Sequence, residues 1–222
     1  MKIRAIVTGA TGMVGEGVLH ECLSLPDVEQ VLVLTRKPTG VKHAKVRELL
    51  HANFHDLSTI ETQLAGYNAC FFCLGTSSVG MSEADYTRVT HDLTLHVAET
   101  LLRQNAGLTF CYVSGDGTDG TEQGRQMWAR VKGRTENELL RLPFGGGAYM
   151  FRPGYMHPTP GLRNVPRWAS AVTWLYPVLR RVLPKHVSTL REQALAMINV
   201  VRRGYPKRVL EVPDIVALAR QA

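Results

Sequence analysis

The sequence predicts an α/β fold, a doubly wound parallel sheet with helices on both faces and a small helical C-terminal region. Three observations predict it. Residues 3–15, IRAIVTGATGMVG, run from an apolar β-type stretch through glycines at 9, 12 and 15 into a helical pattern. Further apolar runs at 31–35, 69–76, 108–114 and 148–151 recur with helical patterns between them, without a long structureless interval. These runs are nearly continuous in apolar residues rather than alternating, as strands buried on both faces require.

The first stretch carries the chemistry. Gly9 can take the sharp turn out of the strand, Gly12 lets the main chain approach a pyrophosphate, and Gly15 lets helix and strand pack closely. Such a turn points the free N–H groups of a helix start at an anion. The apolar pattern Val14, Val18, Leu19, Cys22, Leu23 forms the helix that follows, and Leu25-Pro26-Asp27 ends it. Val31 to Thr35 is the second strand. In NAD-binding folds an acid near its exit holds the ribose 2′-hydroxyl, whereas this chain has Arg36 and Lys37. A guanidinium can pair with a 2′-phosphate that a carboxylate would repel, so the sequence favours NADP(H) over NAD(H).

A more polar third strand is expected over Val46 to Leu50, followed by a segment ending at Asp56 that brings this acid towards the adenine end of the crevice. His43, His51 and His55 lack metal-ligand spacing and read as surface residues. A short helix from Ser58 to Leu64 follows, with Ser58 as its N-cap. Ala69 to Thr76 is a central strand whose Gly75 lets the backbone pass beside a cofactor. Ser82 opens a long helix with the stripe Tyr86, Val89, Leu93, Val97 and Leu101. Leu108 to Ser114 places Ser114 at a strand's carboxyl end, where ligands of wound sheets sit. A Gly/Asp loop, a helix from Arg125 to Leu142 and a strand over 148–151 complete the pattern. Beyond Tyr155 helices are expected over 165–183, over 187–203 and from Pro213.

The chain has 222 residues, enough to bury roughly 70% of its unfolded surface in one domain. We divide it into a nucleotide-binding part, 1–157, and a helical, basic part of the same domain, 158–222. The net charge is +7, but residues 150–222 hold twelve Lys or Arg against three acids while residues 1–149 hold fourteen against sixteen. Cys22, Cys70, Cys73 and Cys111 read as small buried hydrophobes, and three residues apart on a strand Cys70 and Cys73 face opposite ways. We see no charged-then-apolar leader, so the expected location is cytoplasmic. The apolar stretch 168–183 is interrupted by Pro177 and Arg180-Arg181 and does not read as a membrane span.

Together VTGATGMVG at 7–15, the Arg after the second strand, FFCLGT at 71–76, VSGDG at 113–117 and FRPGY at 151–155 resemble an atypical short-chain dehydrogenase/reductase. The similar branch is that of epimerase-like, NAD(P)-binding Rossmann proteins related to the Tat-interacting-protein oxidoreductases, and the likeness covers residues 1–157. It implies cofactor contacts at Gly9, Thr11, Gly12, Met13, Val14, Gly15, Arg36, Asp56, Leu57, Leu74, Gly75, Thr76, Lys132 and Pro153. It also implies a Ser, Tyr, Lys catalytic set, in which Ser114 matches the Ser and Lys132 the Lys. Position 128 is Trp where the family's YxxxK has Tyr, and an indole N–H donates a hydrogen bond but does not relay a proton.

Asp116 and Tyr155 are the groups that could supply the proton instead, and Tyr155 at least keeps a phenol. The sequence therefore reads as an NADP(H)-dependent oxidoreductase acting on a small carbonyl or alcohol. The alternative is a non-catalytic NADP(H)-binding sensor that acts through a protein partner. The basic tail would be a substrate lid or a homodimer face. Its helices with Trp168, Trp174 and Tyr176 could also lie on a lipid surface, and it holds charge but no nucleic-acid motif.

Overall fold

The computed structural model describes residues 2–221, and of residues 168, 170 and 171 only the backbone. Seven parallel strands form the main sheet: β1 (Ile3–Thr8), β2 (Val28–Thr35), β3 (Val46–Leu50), β4 (Ala69–Phe72), β5 (Thr109–Val113), β6 (Gly147–Arg152) and β9 (Val209–Glu211). Their order is β3-β2-β1-β4-β5-β6-β9. The chain therefore winds outward from β1 in one direction through β2 and in the other through β4. Between the carboxyl ends of β1 and β4 the winding reverses, which opens the crevice where ligands of such sheets bind.

Two apolar layers cover the sheet. On one face α1 (Met13–Ser24), α7 (Leu190–Arg203) and α8 (Val212–Ala219) bury Val18, Cys22, Met197 and Ile215 against Val7, Val33 and Phe71. On the other, α3 (Leu93–Gln104) and α4 (Met127–Arg141) bury Val97, Leu101 and Leu139 against Ile6, Leu32, Phe72 and Phe110. Alternate residues of one strand thus serve opposite cores, which is why the central strands read as unbroken apolar runs. Cys70 packs in the second layer and Cys73 borders the first, as the strand period requires. All four cysteines are free, and burial pushes the Cys22 thiol up to about 12.

Several elements depart from the sequence reading. The strand expected over 69–76 stops at Phe72, because the Cys73 N–H donates to the Thr8 hydroxyl at 3.2 Å instead of continuing the ladder. The long helix expected from Ser82 does start there, with the Ser82 hydroxyl capping Asp85, but it consists of α2 (Glu83–Thr87), a π-turn over Arg88–Asp92 and α3. Ser58 caps no helix. Its N–H donates to the Asp56 carboxylate, and among the described residues the helical turn between β3 and β4 is a 3₁₀ turn, Glu61–Leu64.

The helical reading of 165–183 resolves into α5 (Arg167–Val172), a 3₁₀ turn at Thr173–Leu175 and α6 (Tyr176–Val182). The basic tail is not helical throughout. Three-residue strands β7 (Tyr155–His157) and β8 (Val187–Thr189) pair in parallel, and β9 extends the main sheet beside β6. Strands this short show no periodicity, so only their pairing reveals them. Among the described residues no helix is long and apolar enough to cross a membrane.

Candidate functional site

The crevice begins where β1 ends. Gly9 has φ +70°, and a Cβ there would lie 2.5 Å from the Cys73 carbonyl oxygen, so only glycine permits β1 and the end of β4 to approach this closely. At Gly15 a Cβ would lie 2.2 Å from the Gly9 carbonyl oxygen, which seats the first turn of α1 directly on the glycine turn. Gly12 is the N-cap of α1 and offers no side-chain acceptor. The N–H groups of Met13, Val14 and Gly15 therefore face an outside acceptor, with the positive end of the helix dipole behind them. This cradle fits a pyrophosphate on backbone geometry alone.

Beside it two adjoining cavities share Arg36, Phe54 and Leu74. One, of about 330 Å³, is lined by Gly9, Thr11, Leu34, Thr35, Arg36 and Lys37. The other, also about 330 Å³, continues past Asn53, His55, Gly75, Thr76 and Met81. Arg36 is exposed, and among the described residues no carboxylate pairs with it or with Lys37. Asp56 and Leu57 do not line the cavities. The Asp56 carboxylate accepts the Ser58 N–H at 3.0 Å, the Ser58 side chain and then this N–H lower its pKa, and Leu57 is buried in the core. Asn53, Phe54 and His55 occupy the place expected of Asp56, held by His51, whose Nε2 lies 2.8 Å from the Asn53 carbonyl and 2.6 Å from that of Asp56.

At the other end of the crevice α4 brings Lys132 to Ser114. Lys132 Nζ donates to the Ser114 carbonyl at 2.6 Å and lies 5.8 Å from the centre of the Tyr112 ring. Burial holds the Lys132 ammonium down at about 8, against the opposing pull of Glu136. The Ser114 hydroxyl points inward. It is 2.5 Å from Glu136 Oε1 and 3.1 Å from the Phe151 carbonyl. Glu136, 1% exposed, is gripped in turn by Arg152, whose Nη2 lies 2.5 Å from Oε2. Sequence reasoning missed Glu136 and Arg152. The signal available was Glu136 one helical turn beyond Lys132, on the same face.

Trp128 shares that face and stands beside Gly117, where a Cβ would lie 3.5 Å from the indole Cη2. Tyr112 does not substitute for the missing phenol, since it is fully buried and burial raises its pKa. Tyr155 lies on β7, with its hydroxyl 3.4 Å from the Ala169 carbonyl of α5. The Pro153 carbonyl accepts the Asp116 N–H at 2.8 Å, tying the loop after β5 to the exit of β6. Ser114, Lys132, Pro153 and Asp116 thus come together, while the Tyr155 hydroxyl is directed to the helical tail.

Residues 5–134 match the family described as NAD dependent epimerase/dehydratase. The chain belongs to that family. The glycine turn between β1 and α1 lies within the matched residues. Its curated relatives include Protein FMP52, mitochondrial, of Eremothecium gossypii, 28% identical over 156 residues that make up 69% of this chain and 66% of the relative. Protein FMP52-1, mitochondrial, of Scheffersomyces stipitis is 26% identical over 155 residues, 68% of this chain and 66% of the relative. The match spans slightly less than two thirds of either relative.

Among solved structures, WbmF of Bordetella bronchiseptica in complex with NADH superposes with a TM-score of 0.67 at 16% identity, over 97% of this chain and 75% of that one. Uronate dehydrogenase from Agrobacterium tumefaciens gives 0.66 at 16% identity, over 94% and 76%. Both share the fold of this epimerase-family chain. The cytoplasmic location expected from the sequence is overturned by the curated relatives, whose names are mitochondrial. The leader that the expectation looked for marks the secretory route and says nothing of an organellar address.

Proposed function

We propose that this chain is an NADP(H)-dependent oxidoreductase acting on a small carbonyl or alcohol substrate. The observation that carries the reading is Arg36 at the tip of β2, lining both cavities beside the glycine turn and, among the described residues, paired with no carboxylate. A ribose 2′-phosphate there would meet a planar guanidinium able to form two charge-assisted hydrogen bonds, with Lys37 adding charge. Met13, Val14 and Gly15 would hold the pyrophosphate through their N–H groups, and Leu74, Gly75 and Thr76 would border the path of the cofactor. The bound nicotinamide supplies the hydride.

In this reading Lys132 binds a ribose hydroxyl at the nicotinamide end and keeps positive charge beside it. The inward-facing Ser114 hydroxyl orders the loop through Glu136 rather than touching substrate, while the Ser114 carbonyl positions Lys132. The Arg-rich tail would close over the substrate. Glu16 supports this arrangement by accepting the backbone N–H groups of Arg163 and Asn164 at 2.9 and 2.7 Å, which clips the tail to the start of α1.

Calorimetric titration with NADPH and NADH, followed by a carbonyl panel with NADPH, tests the reading. NADPH should bind more tightly and one panel member should be reduced, with activity lost in Lys132→Ala. Equal or inverted cofactor preference refutes the NADP(H) assignment. One observation favours a second reading, a cofactor-binding sensor: position 128 holds an indole packed beside Gly117 where the family has a phenol. Tight NADPH binding, no turnover across the panel and a protein partner whose binding changes with NADPH would support it.

A further inference from the structure

We propose that His186, oriented by Asp116, is the proton-transfer residue of this site and takes the part that Trp128 cannot. This rests on the oxidoreductase reading above. The Asp116 Oδ2 lies 2.6 Å from His186 Nδ1. The two residues are seventy positions apart in sequence, and the fold clamps them together from both sides. The Asp116 N–H donates to the Pro153 carbonyl at 2.8 Å, and the Tyr155 N–H donates to the His186 carbonyl at 2.8 Å. Gly154, between those anchors, lies so close that a Cβ would be 2.2 Å from the His186 carbonyl oxygen.

The location matters as much as the pairing. Asp116 is two residues beyond Ser114, whose carbonyl holds Lys132, and one residue before Gly117, which Trp128 borders. Asp116 therefore stands on the loop that leaves the carboxyl end of β5, where a wound sheet places its ligands, and His186, just before β8, is held to it. A carboxylate that accepts from Nδ1–H fixes the imidazole tautomer and leaves Nε2 as the working nitrogen, the arrangement general-base histidines use. The His186 side chain is 57% exposed. Asp116 is the charged group bonded to the ring, and Lys185 precedes His186 in sequence.

The chemistry balances with one proton and one hydride. In the oxidising direction Nε2 would take the hydroxyl proton of an alcohol, the C–O bond would become a carbonyl, and the hydride, with its electron pair, would leave the carbon that bears that oxygen for the nicotinamide. In the reducing direction the imidazolium returns that proton to the carbonyl oxygen. Asp116 is a positioning residue and His186 the catalytic one. An imidazole nitrogen can accept and return a proton, whereas an indole N–H only donates a hydrogen bond.

The first test reads position without activity. In protein with labelled histidines, the His186 ring signals are assigned with His186→Gln and followed during titration with NADP⁺ and with 2′-phospho-ADP-ribose, which lacks the nicotinamide. The expected result is a shift of the His186 signals with NADP⁺ only, while calorimetry shows both ligands bound. Binding of both with identical His186 signals overturns the proposal and leaves the cofactor reading standing. Binding of neither overturns that reading, and this proposal with it.

The second test is kinetic. His186→Gln should lower turnover about 100-fold with NADPH affinity unchanged, the size general acid–base groups contribute. His186→Gly should regain severalfold activity with added imidazole. Asp116→Asn should lower kcat and not KM. Full turnover in His186→Gln, or a loss in His186→Gly that imidazole leaves unchanged, overturns the proposal.

Discussion

Replacing Glu136 by Ala should destabilise the carboxyl edge of the sheet, because this one side chain joins α4, the exit of β5 and β6. Its carboxylate accepts from Arg152 Nε at 3.1 Å and Nη2 at 2.5 Å, and from the Ser114 hydroxyl at 2.5 Å. Glu136 is 1% exposed, whereas the second acid on Arg152, Glu211, binds through Nη1 at 3.1 Å and has a side chain 46% exposed. Removing Glu136 therefore leaves a largely buried guanidinium with only a screened partner. Breaking a buried pair in this way costs about 3–5 kcal/mol, since the surviving charge has lost its compensation. Native domains are stable by only about 5–15 kcal/mol, so the loss is a large share of the total.

For a chain of this length such a loss lowers the melting temperature by about 6–20 °C. Urea unfolding followed by circular dichroism measures it directly. A double variant, Glu136→Leu with Arg152→Met, should recover at least half of the loss, because apolar side chains of similar volume avoid the desolvation of both charges. A single-variant loss below about 1 kcal/mol would show that the pair behaves as a surface ion pair and refute the reasoning. A double variant as unstable as the single one would do the same.

Arg36→Glu should weaken NADPH binding by at least about tenfold while sparing NADH, since a charge-assisted bond contributes about 1.5–3 kcal/mol. An unchanged NADPH to NADH affinity ratio would refute the assignment of Arg36. Gly15→Ala should lower both the melting temperature and cofactor affinity, because its Cβ would lie 2.2 Å from the Gly9 carbonyl oxygen. Gly75→Ala should leave the melting temperature unchanged, since a Cβ there meets nothing within 4 Å, and weaken cofactor binding alone if the cofactor runs beside it. NADPH affinity should also depend on pH through Lys132, whose ammonium burial holds at about 8. An anionic cofactor favours the charged amine, so affinity is fully present below about pH 8 and falls by up to about tenfold per unit as pH rises above it. Titration in Lys132→Met should abolish that slope, and a flat wild-type profile would refute the role.

The glycine turn, the apolar central strands and the helical stripe of the helix after them were legible in the residues, while the assignment of Ser114 and Lys132 came from the family resemblance. A strand buried on both faces must be apolar throughout, a turn that meets another backbone must be glycine, and residues one helical turn apart must share a face. Each of these constraints acts within a few positions of the chain. Asp56 was misplaced because its direction depends on how the loop after β3 folds around His51. The three-residue strands β7, β8 and β9 escaped notice because pairing, not periodicity, makes them strands. The Glu136 grip on Arg152 and the meeting of Asp116 with His186 were decided only by the tertiary structure, because such contacts cost nothing to omit from a local pattern. They exist only once the sheet's winding order brings distant strand ends to one edge.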